Sequence, residues 1–436
     1  MDWHFDNTYA RELAWLGAAM APVPVEAPTP VFVNEPLAEQ LGLDPEWLAS
    51  PDGTAVLAGS VVPEGAEPIA MAYAGHQFGH FSPRLGDGRA HLLGEIVDRD
   101  GRRRDIALKG SGRTVFSRGG DGRAAIGPVL REVIISEAMH ALGIPTTRAL
   151  GAAETGEQVW RDRGPERGAV LARVAASHLR VGTLELVRTQ GSLEQLRELV
   201  EYVRTRHYPD VAEGDVWALF DEIASRQAEL IASWMSVGFI HGVMNTDNMA
   251  LSGETIDYGP CAFLDHYDPD TVYSSIDTGG RYRYSAQPTI AQWNLARLAE
   301  CLLPLDEAGP DAAVETATER VNGFAELCAA AFSRRMAAKL GLHPASPAAG
   351  GVERRSSDVG GIHPVCEGPV EEGEVATLIN DLLEIMQRGS LDWTNTFRSL
   401  SAHLVTPDTP ASHNLPNSSE MATGSESRGS SPDRSG

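Results

Sequence analysis

Hydrophobic and polar positions alternate in the first half of the chain with the period of two that half-buried strands show. On this pattern, strands are predicted at 90–97, 104–109, 157–161 and 169–175. The polar turn Asp98-Arg-Asp-Gly101 makes the first two strands a β-hairpin. A helix over 128–142 follows, with Pro128 at its first turn and Gly143-Ile-Pro145 ending it. This half is therefore predicted to be mainly β with one long helix.

After about residue 177 the apolar positions recur every three or four residues, which indicates amphipathic helices. Helices are predicted at 192–206, 216–237, 290–303 and 312–340. One short strand pair, 249–251 with 255–257, is expected around the turn Ser252-Gly253. We therefore predict an α+β protein with a β-rich N-terminal lobe that contains one key helix, and an α-rich C-terminal lobe.

Composition divides the chain further. Residues 343–374 are rich in Gly, Pro and Ser, and 409–436 contain almost no apolar side chains, so neither stretch is expected to form a core. The predicted order is an N-terminal extension (1–65), an N-terminal lobe (66–185), a C-terminal lobe (186–342), a flexible insertion (343–374), a C-terminal helical segment (375–408) and a disordered tail (409–436).

The charge balance excludes several classes of partner. The 436 residues carry 36 Lys and Arg against 60 Asp and Glu, a formal net charge of −24. Such a chain is not expected to bind nucleic acid or anionic membranes, because both require clustered cations. It has no basic leader and no apolar run long enough to span a bilayer, so we expect a soluble, cytoplasmic protein. Its four scattered cysteines do not suggest a disulfide scaffold.

Lys109 is one of only two lysines in the chain, and it ends the strand Asp105-Ile-Ala-Leu-Lys109. That strand resembles the one from which protein kinases direct an ammonium group at ATP phosphates. The following helix carries Glu132 and Glu137, and either could pair with the lysine. A P-loop is excluded because neither lysine follows a glycine.

The second half supplies matching residues in kinase order. Asn248 stands seven positions after His241, and Asp257 follows in Ile256-Asp-Tyr-Gly259, like the kinase Asn and Asp that bind magnesium. Amide and carboxylate oxygens suit Mg²⁺ or Mn²⁺. The kinase catalytic aspartate is replaced by Val243, which cannot accept a proton, and Asp247 is the nearby carboxylate of the loop that can.

Several longer runs resemble the selenoprotein O family of protein adenylyltransferases, between Phe5 and Arg398. The runs are Tyr73-Ala-Gly-His-Gln-Phe-Gly-His80, Leu85-Gly-Asp-Gly-Arg89, Leu108-Lys-Gly-Ser-Gly112, Ser136-Glu-Ala-Met-His-Ala-Leu-Gly-Ile-Pro-Thr-Thr-Arg148, His241-Gly-Val-Met-Asn-Thr-Asp-Asn-Met249 and Asp257-Tyr-Gly-Pro260. The resemblance implies a protein-kinase-like bilobal fold, a pseudokinase, that binds ATP in a flipped orientation. It also implies transfer of AMP to protein Ser, Thr or Tyr hydroxyls, with UMP transfer from UTP as an associated activity.

The resemblance also assigns roles by position. It implies that the nucleotide contacts Gly86, Gly88, Arg89, Lys109, Asp121, Gly122, Arg173, Arg180 and Asp257. Asp247 would be the proton acceptor, Asn248 and Asp257 the metal ligands, and Glu132 the partner of Lys109.

Two other functions remain open from the sequence. Relatives in the family usually continue into further C-terminal helices, whereas this chain changes to a low-complexity tail after Thr394-Asn-Thr-Phe-Arg398. That difference and Val243 favour an inactive nucleotide-binding pseudokinase scaffold. A protein kinase that uses Asp247 as its base is the other alternative.

Overall fold

The computed structural model describes residues 1–342 and 372–404 and shows a mixed α and β protein. The predicted tail, 409–436, and all but the last three residues of the predicted insertion, 343–374, lie outside these described residues.

The strands, in chain order, are β1 (Gly17–Ala19), β2 (Thr29–Val33), β3 (Ile69–Met71), β4 (Gly75–Gln77), β5 (His80–Ser82), β6 (Ala90–Val97), β7 (Arg103–Lys109), β8 (Ala124–Ala125), β9 (Arg148–Arg161), β10 (Gly164–Ala175), β11 (Phe239–Ile240) and β12 (Ala262–Phe263). Eight of them form one antiparallel sheet in the order β1-β3-β6-β7-β10-β9-β2, and β8 pairs with β10 outside this path.

The helices, in chain order, are α1 (Thr8–Glu12), α2 (Glu35–Gln40), α3 (Pro45–Ala49), α4 (Pro51–Leu57), α5 (Ile126–Ala141), α6 (Val181–Gln190), α7 (Leu193–His207), α8 (Val216–Ser236), α9 (Gln287–Leu302), α10 (Pro310–Lys339), α11 (Glu372–Arg388) and α12 (Trp393–Leu404). Within the described residues, none of these helices has the length and apolar character that crossing a membrane requires.

The β6–β7 hairpin and the long helices are confirmed, whereas β9 is much longer than predicted. Its first half contains Ala149, Gly151, Ala152 and Ala153, small residues with low strand propensity. These residues are buried because β2 and β10 flank them on either side. The sequence pattern missed this half because its stability comes from pairing and burial rather than from propensity.

The predicted strand pair at 249–251 and 255–257 is wrong. Ala250 makes a single bridge to Arg180, and Thr255 makes a single bridge to Thr146, so both segments pair with distant parts of the chain. The short two-stranded sheet of this region is β11 with β12. Local alternation cannot distinguish these partners because the bridges join residues about 70 and 110 positions apart.

Helices cover both faces of the large sheet. On one face, Leu37, Leu48 and Leu57 of α2–α4 pack on a core that includes Ile106 and Val170. The N-terminal 65 residues thus supply three helices of this face and both edge strands, β1 and β2.

On the other face of the sheet, Val129 and Val133 of α5 pack on Ala152 and Leu171. Because alternate residues of a strand share a face, Arg173 of β10 and Lys109 of β7 also point toward α5. The largest apolar core lies in the helical part, mainly among α6–α10.

A buried arginine joins this helical part to the sheet. Glu95 of β6 and Asp105 of β7 are buried and stand directly opposite each other, an arrangement that is repulsive without a cation. Arg206 of α7 forms ion pairs with both, at 2.6 Å to Asp105 Oδ1. Glu95 also accepts hydrogen bonds from Thr8 Oγ1 and the Tyr9 amide, each 2.7 Å. One cation therefore connects α7, the sheet and the N-terminal segment.

We expect Arg206→Ala to lower the free energy of unfolding by about 3–5 kcal/mol, because it leaves two buried carboxylates without their cation. The matched control is Arg197→Ala on the exposed side of the same helix, which should stay within about 0.5 kcal/mol of the wild type. Urea denaturation followed by tryptophan fluorescence measures both. Equal stabilities of the two variants would contradict this role for Arg206.

Candidate active site

A cleft of about 420 Å³ opens where the ends of β6, β7 and β10 meet the loop 110–123 and Asp257. Its walls are formed by Tyr73, Gly86, Asp87, Gly88, Arg89, Ala90, Lys109, Phe116, Ser117, Arg118, Gly120, Asp121, Gly122, Arg123, Arg161, Arg173, Arg180 and Asp257. All nine residues that the family resemblance implies for nucleotide contact are among them.

The cleft is cationic although the protein is strongly acidic. Seven Arg and Lys side chains line it against three aspartates, a surplus of four positive charges in a chain of net charge −24. Low-dielectric walls lined by one sign of charge strengthen the local field. The cleft therefore suits a ligand with several negative charges, such as a polyphosphate.

Four charged side chains form a closed network at the floor of the cleft. Lys109 Nζ lies 2.6 Å from Glu132 Oε2 and 2.5 Å from Asp257 Oδ1. Arg173 Nη1 contacts the same two acids, at 3.1 Å to Glu132 Oε1 and 2.6 Å to Asp257 Oδ1. Glu137, the other glutamate considered for Lys109, instead pairs with Arg148 at 2.7 Å. The network joins β7, α5 and β10 to the segment that carries Asp257.

Asp257 has an uncommon backbone conformation, and the network keeps its side chain ionised. Its backbone adopts a left-handed conformation with φ +63°, which non-glycine residues seldom adopt. Burial alone opposes ionisation of its carboxyl group, but Lys109 and Arg173 outweigh burial and hold its pKa well below the ordinary value. Asp257 is therefore a carboxylate at neutral pH.

Arg180 reaches the cleft from the N-terminus of α6 and is almost fully buried. Its guanidinium stacks on Tyr73, 4.2 Å from the ring centre, and its Nη1 donates to the backbone oxygen of Asp247 at 3.1 Å. Nη2 is buried without a hydrogen-bond partner, and Asp87 Oδ1 lies 4.0 Å away. A buried donor left unpaired is costly, so this position favours an anionic ligand.

Three glycines in the lining of the cleft pack closely against other parts of the protein. Gly86 (φ +83°) and Gly122 (φ +71°) both have left-handed backbones. A Cβ atom on Gly86 would overlap the Phe116 ring, and one on Gly122 would overlap the backbone of Gly112 and Arg113. A Cβ on Gly88 would lie 2.9 Å from the Phe116 carbonyl oxygen. Positions 86 and 122 therefore require glycine for conformation and for space, and position 88 requires it for space.

Two predicted polar residues differ in how tightly they are held. Asp121 pairs with Arg161 at 2.7 Å, and this pairing overcomes partial burial and lowers the pKa of Asp121. Arg89 is exposed, and its guanidinium makes no ion pair within residues 1–342 and 372–404. Arg89 is thus available to a ligand without breaking an existing contact.

Asp247 and Asn248 lie in a single turn of 3₁₀ helix, 246–248, beside the cleft rather than in its lining. Arg180 connects Asp247 to the cleft through the backbone contact described above. Gln77 Nε2 donates to Asp247 Oδ2 at 3.2 Å, and Oδ1 is buried without a partner. Burial raises the pKa of Asp247 to about 6, which makes its carboxylate a better proton acceptor than an exposed one.

Asn248 and Asp257 present oxygens that fit a hard divalent cation. The amide nitrogen of Asn248 donates to the Val243 carbonyl at 3.0 Å, which leaves its Oδ1 for a ligand. No group of three or more His, Cys, Asp or Glu side chains in the described part of the chain could hold a metal. Two protein ligands suit Mg²⁺, which commonly takes its remaining ligands from water and phosphate.

Sequence reasoning missed several residues of this site. Asp87 is buried opposite Arg180, and burial raises its pKa. Arg173 Nε donates to His178 Nε2 at 3.2 Å, and His178 Nδ1 lies 3.0 Å from Asp105 Oδ2, so His178 holds the Arg173 side chain of the network. Asp87 stands inside the Gly86–Arg89 run and could have been suspected there, but no local signal pairs His178 with Arg173.

The comparisons with known proteins identify a protein family. The family model described as protein adenylyltransferase SelO matches residues 14–428. A Rhodopseudomonas palustris protein named protein nucleotidyltransferase YdiU is 55% identical over 405 residues, which are 92% of this chain and 77% of that protein. Proteins of the same name from Rhizobium leguminosarum bv. trifolii (55% identity, 91% and 74% coverage) and Cereibacter sphaeroides (52%, 92% and 78%) are also similar.

Among solved structures, the kinase domain of a Toxoplasma gondii rhoptry antigen is similar over 58% of this chain and 78% of that chain. The TM-score is 0.25 and the sequence identity is 10%.

The SelO family model and the relatives named protein nucleotidyltransferase identify the chain as a nucleotidyltransferase. The chain belongs to the SelO family of protein adenylyltransferases.

Replacing Gly122 with Ala tests the glycine requirement of the cleft. We expect Gly122→Ala to weaken ATP binding by about tenfold, equivalent to about 1.4 kcal/mol, because its methyl group displaces the loop. Gly119→Ala is the matched control: Gly119 has a similar φ of +84° but open space around its Cβ position. Isothermal titration calorimetry with ATP measures both affinities. Equal affinities would show that close backbone approach at Gly122 does not matter for binding.

Proposed function

We propose that this protein transfers AMP from ATP to Ser, Thr or Tyr hydroxyls of other proteins. One observation carries the proposal: the nine residues implied for nucleotide contact, distant in sequence, line a single cationic cleft next to Asp247. UTP is proposed as a second donor, because charge recognition of the phosphates does not depend on the base.

The polyphosphate is proposed to bind through four cations. Lys109 and Arg173 are held in fixed positions by Glu132 and Asp257, Arg180 offers an unpaired Nη2, and Arg89 is free to move onto the ligand. Donors that are fixed before the reaction stabilise charge that develops on the phosphate without the cost of reorganising them. The glycine-rich backbone at residues 86–88 and 122 completes the phosphate site.

In the transfer step, the hydroxyl oxygen of the protein substrate forms a bond to the α-phosphorus. The bond from that phosphorus to the bridging oxygen breaks, and pyrophosphate leaves with the electron pair. Asp247 accepts the hydroxyl proton. Its buried position keeps competing water away from the carboxylate.

Asn248 and Asp257 are proposed to hold Mg²⁺ or Mn²⁺. The cation supplies charge neutralisation at the phosphates. The low pKa of Asp257 keeps this ligand ionised without help from the metal.

We further propose that the chain is a kinase-like bilobal protein. The sheet with α5 forms one lobe, with Lys109 and Glu132 paired as in kinases, and α6–α10 form the other. The arrangement departs from kinases at Val243, which leaves the role of base to Asp247.

A labelling assay distinguishes the candidate functions. The purified chain with α-labelled ATP and a mixture of protein acceptors is expected to label protein, and γ-labelled ATP is not. Asp247→Asn should lower the rate about 100-fold or more, because the isosteric amide cannot accept the proton. The exposed Asp210→Asn is the matched control and should behave as the wild type.

Label from the γ position would identify a protein kinase instead. ATP binding with no label from either position would identify an inactive scaffold.

Metal removal provides a separate test. We expect EDTA to abolish transfer and added Mg²⁺ or Mn²⁺ to restore it. Asn248→Ala should raise the metal concentration for half-maximal rate about 10-fold or more, because one oxygen ligand is lost. A rate that is unaffected by EDTA would contradict the proposed metal site.

A further inference from the structure

The run Tyr73–His80 contains β4 and the turn of a small hairpin, β4–β5, that is separate from the large sheet. Three consecutive residues of β4 and its turn bond to three consecutive side chains of the loop that carries Asp247. The His76 amide donates to Thr246 Oγ1 at 2.7 Å, Gln77 Nε2 to Asp247 Oδ2 at 3.2 Å, and the Phe78 amide to Asn245 Oδ1 at 3.1 Å. The hairpin therefore pairs with side chains of this loop rather than with a strand.

The buried carboxylate of Glu185 contacts both the hairpin and the loop that carries Asp247. Glu185 of α6 accepts a hydrogen bond from Thr246 Oγ1 at 2.5 Å through Oε2, and its Oε1 contacts His76 Nδ1. Thr246 Oγ1 thus donates to Glu185 while it accepts from the His76 amide, so the hydroxyl links the carboxylate to the hairpin backbone. The His76 ring also packs against Trp293, 5.1 Å between ring centres.

The turn of the hairpin has a second attachment. Asn245 Oδ1 accepts from the Tyr282 hydroxyl at 2.6 Å as well as from the Phe78 amide. Phe78 packs edge-on against the Tyr282 ring, 5.2 Å between ring centres. Phe78 and Gly79 both have left-handed backbones, φ +52° and +84°, which fix the turn that brings Gln77 to Asp247.

The consequence is that the two oxygens of Asp247 are in different surroundings. A Cβ atom on Gly75 would lie 2.7 Å from Oδ1, so the absence of a side chain there makes room for this oxygen. Oδ1 is buried without a hydrogen-bond partner, whereas Oδ2 accepts the hydrogen bond from Gln77. The side chain of Asp247 has no ion pair of its own in the described structure, so its orientation depends on these neighbours.

We propose that the β4–β5 hairpin orients the proton acceptor of the transferase. Gln77 fixes Oδ2, Gly75 makes room for Oδ1, and the Glu185–Thr246–His76 contacts fix the hairpin to the loop. Gln77, Thr246 and Glu185 are therefore positioning residues, which act on the reaction through Asp247. This inference rests on the proposed role of Asp247 as the base.

Steady-state kinetics test the proposal. We expect Gln77→Leu and Thr246→Val to lower kcat about 10- to 100-fold with the KM for ATP unchanged, because misplacement of a catalytic group affects the chemical step. Thr246→Ser keeps the hydroxyl and should recover most of the wild-type kcat. Ser82→Ala, in β5 of the same hairpin, is the matched control. A kcat within twofold of wild type for Gln77→Leu, or equal losses in Thr246→Ser and Thr246→Val, would overturn the proposal.

Hydrogen exchange gives a readout that does not depend on transfer. The amide of His76 is expected to exchange at least tenfold faster in Thr246→Val than in the wild type or Thr246→Ser, because its acceptor is removed. Unchanged protection would overturn the attachment of the hairpin to the loop. If the wild-type chain labels no protein at all, the proposed function fails, and the exchange experiment still decides whether the hairpin is held as described.

Discussion

The ion network of Lys109, Glu132, Arg173 and Asp257 is the interaction on which the cleft depends. It joins the ends of two strands, one helix and a loop of the helical part, so the two halves of the molecule meet at a fixed distance. A buried network of this kind is stable only when every charge is paired, because an isolated buried charge is expensive. Two cations and two acids meet this condition and leave the cations facing the cleft.

The cleft and the whole protein carry charges of opposite sign. A net charge of −24 repels polyanions at long range, yet the cleft carries a surplus of four positive charges. At physiological salt, fields from exposed charges decay over about 8 Å, so the local cations dominate inside the cleft. The cleft can therefore attract an anionic ligand although the protein as a whole is acidic.

Rigidity around the site comes from attachments between distant segments. The buried pair of Glu95 and Asp105 is bridged by Arg206, and the loop of Asp247 is held by the β4–β5 hairpin. In the first arrangement a single arginine of α7 pairs with both carboxylates of the sheet. In the second, three consecutive residues of the hairpin bond to three consecutive residues of the loop. Both attachments join segments that lie far apart in the sequence.

Much of the architecture follows from local chemistry. Alternation in 90–97 and 104–109 predicts the hairpin that carries Lys109, and the structure contains it. The spacing of His241, Asn248 and Asp257 predicts a metal and phosphate site. These features are encoded by neighbouring residues. Three other features are not encoded locally, because each joins residues far apart in the chain. They are the pairing of Lys109 with Glu132 rather than Glu137, the contact of Gln77 with Asp247, and the bridge that the segment 249–251 makes to Arg180. Residue types and their spacing define which chemistry is available, whereas folding alone selects which of several equivalent acids and donors come within hydrogen-bond distance.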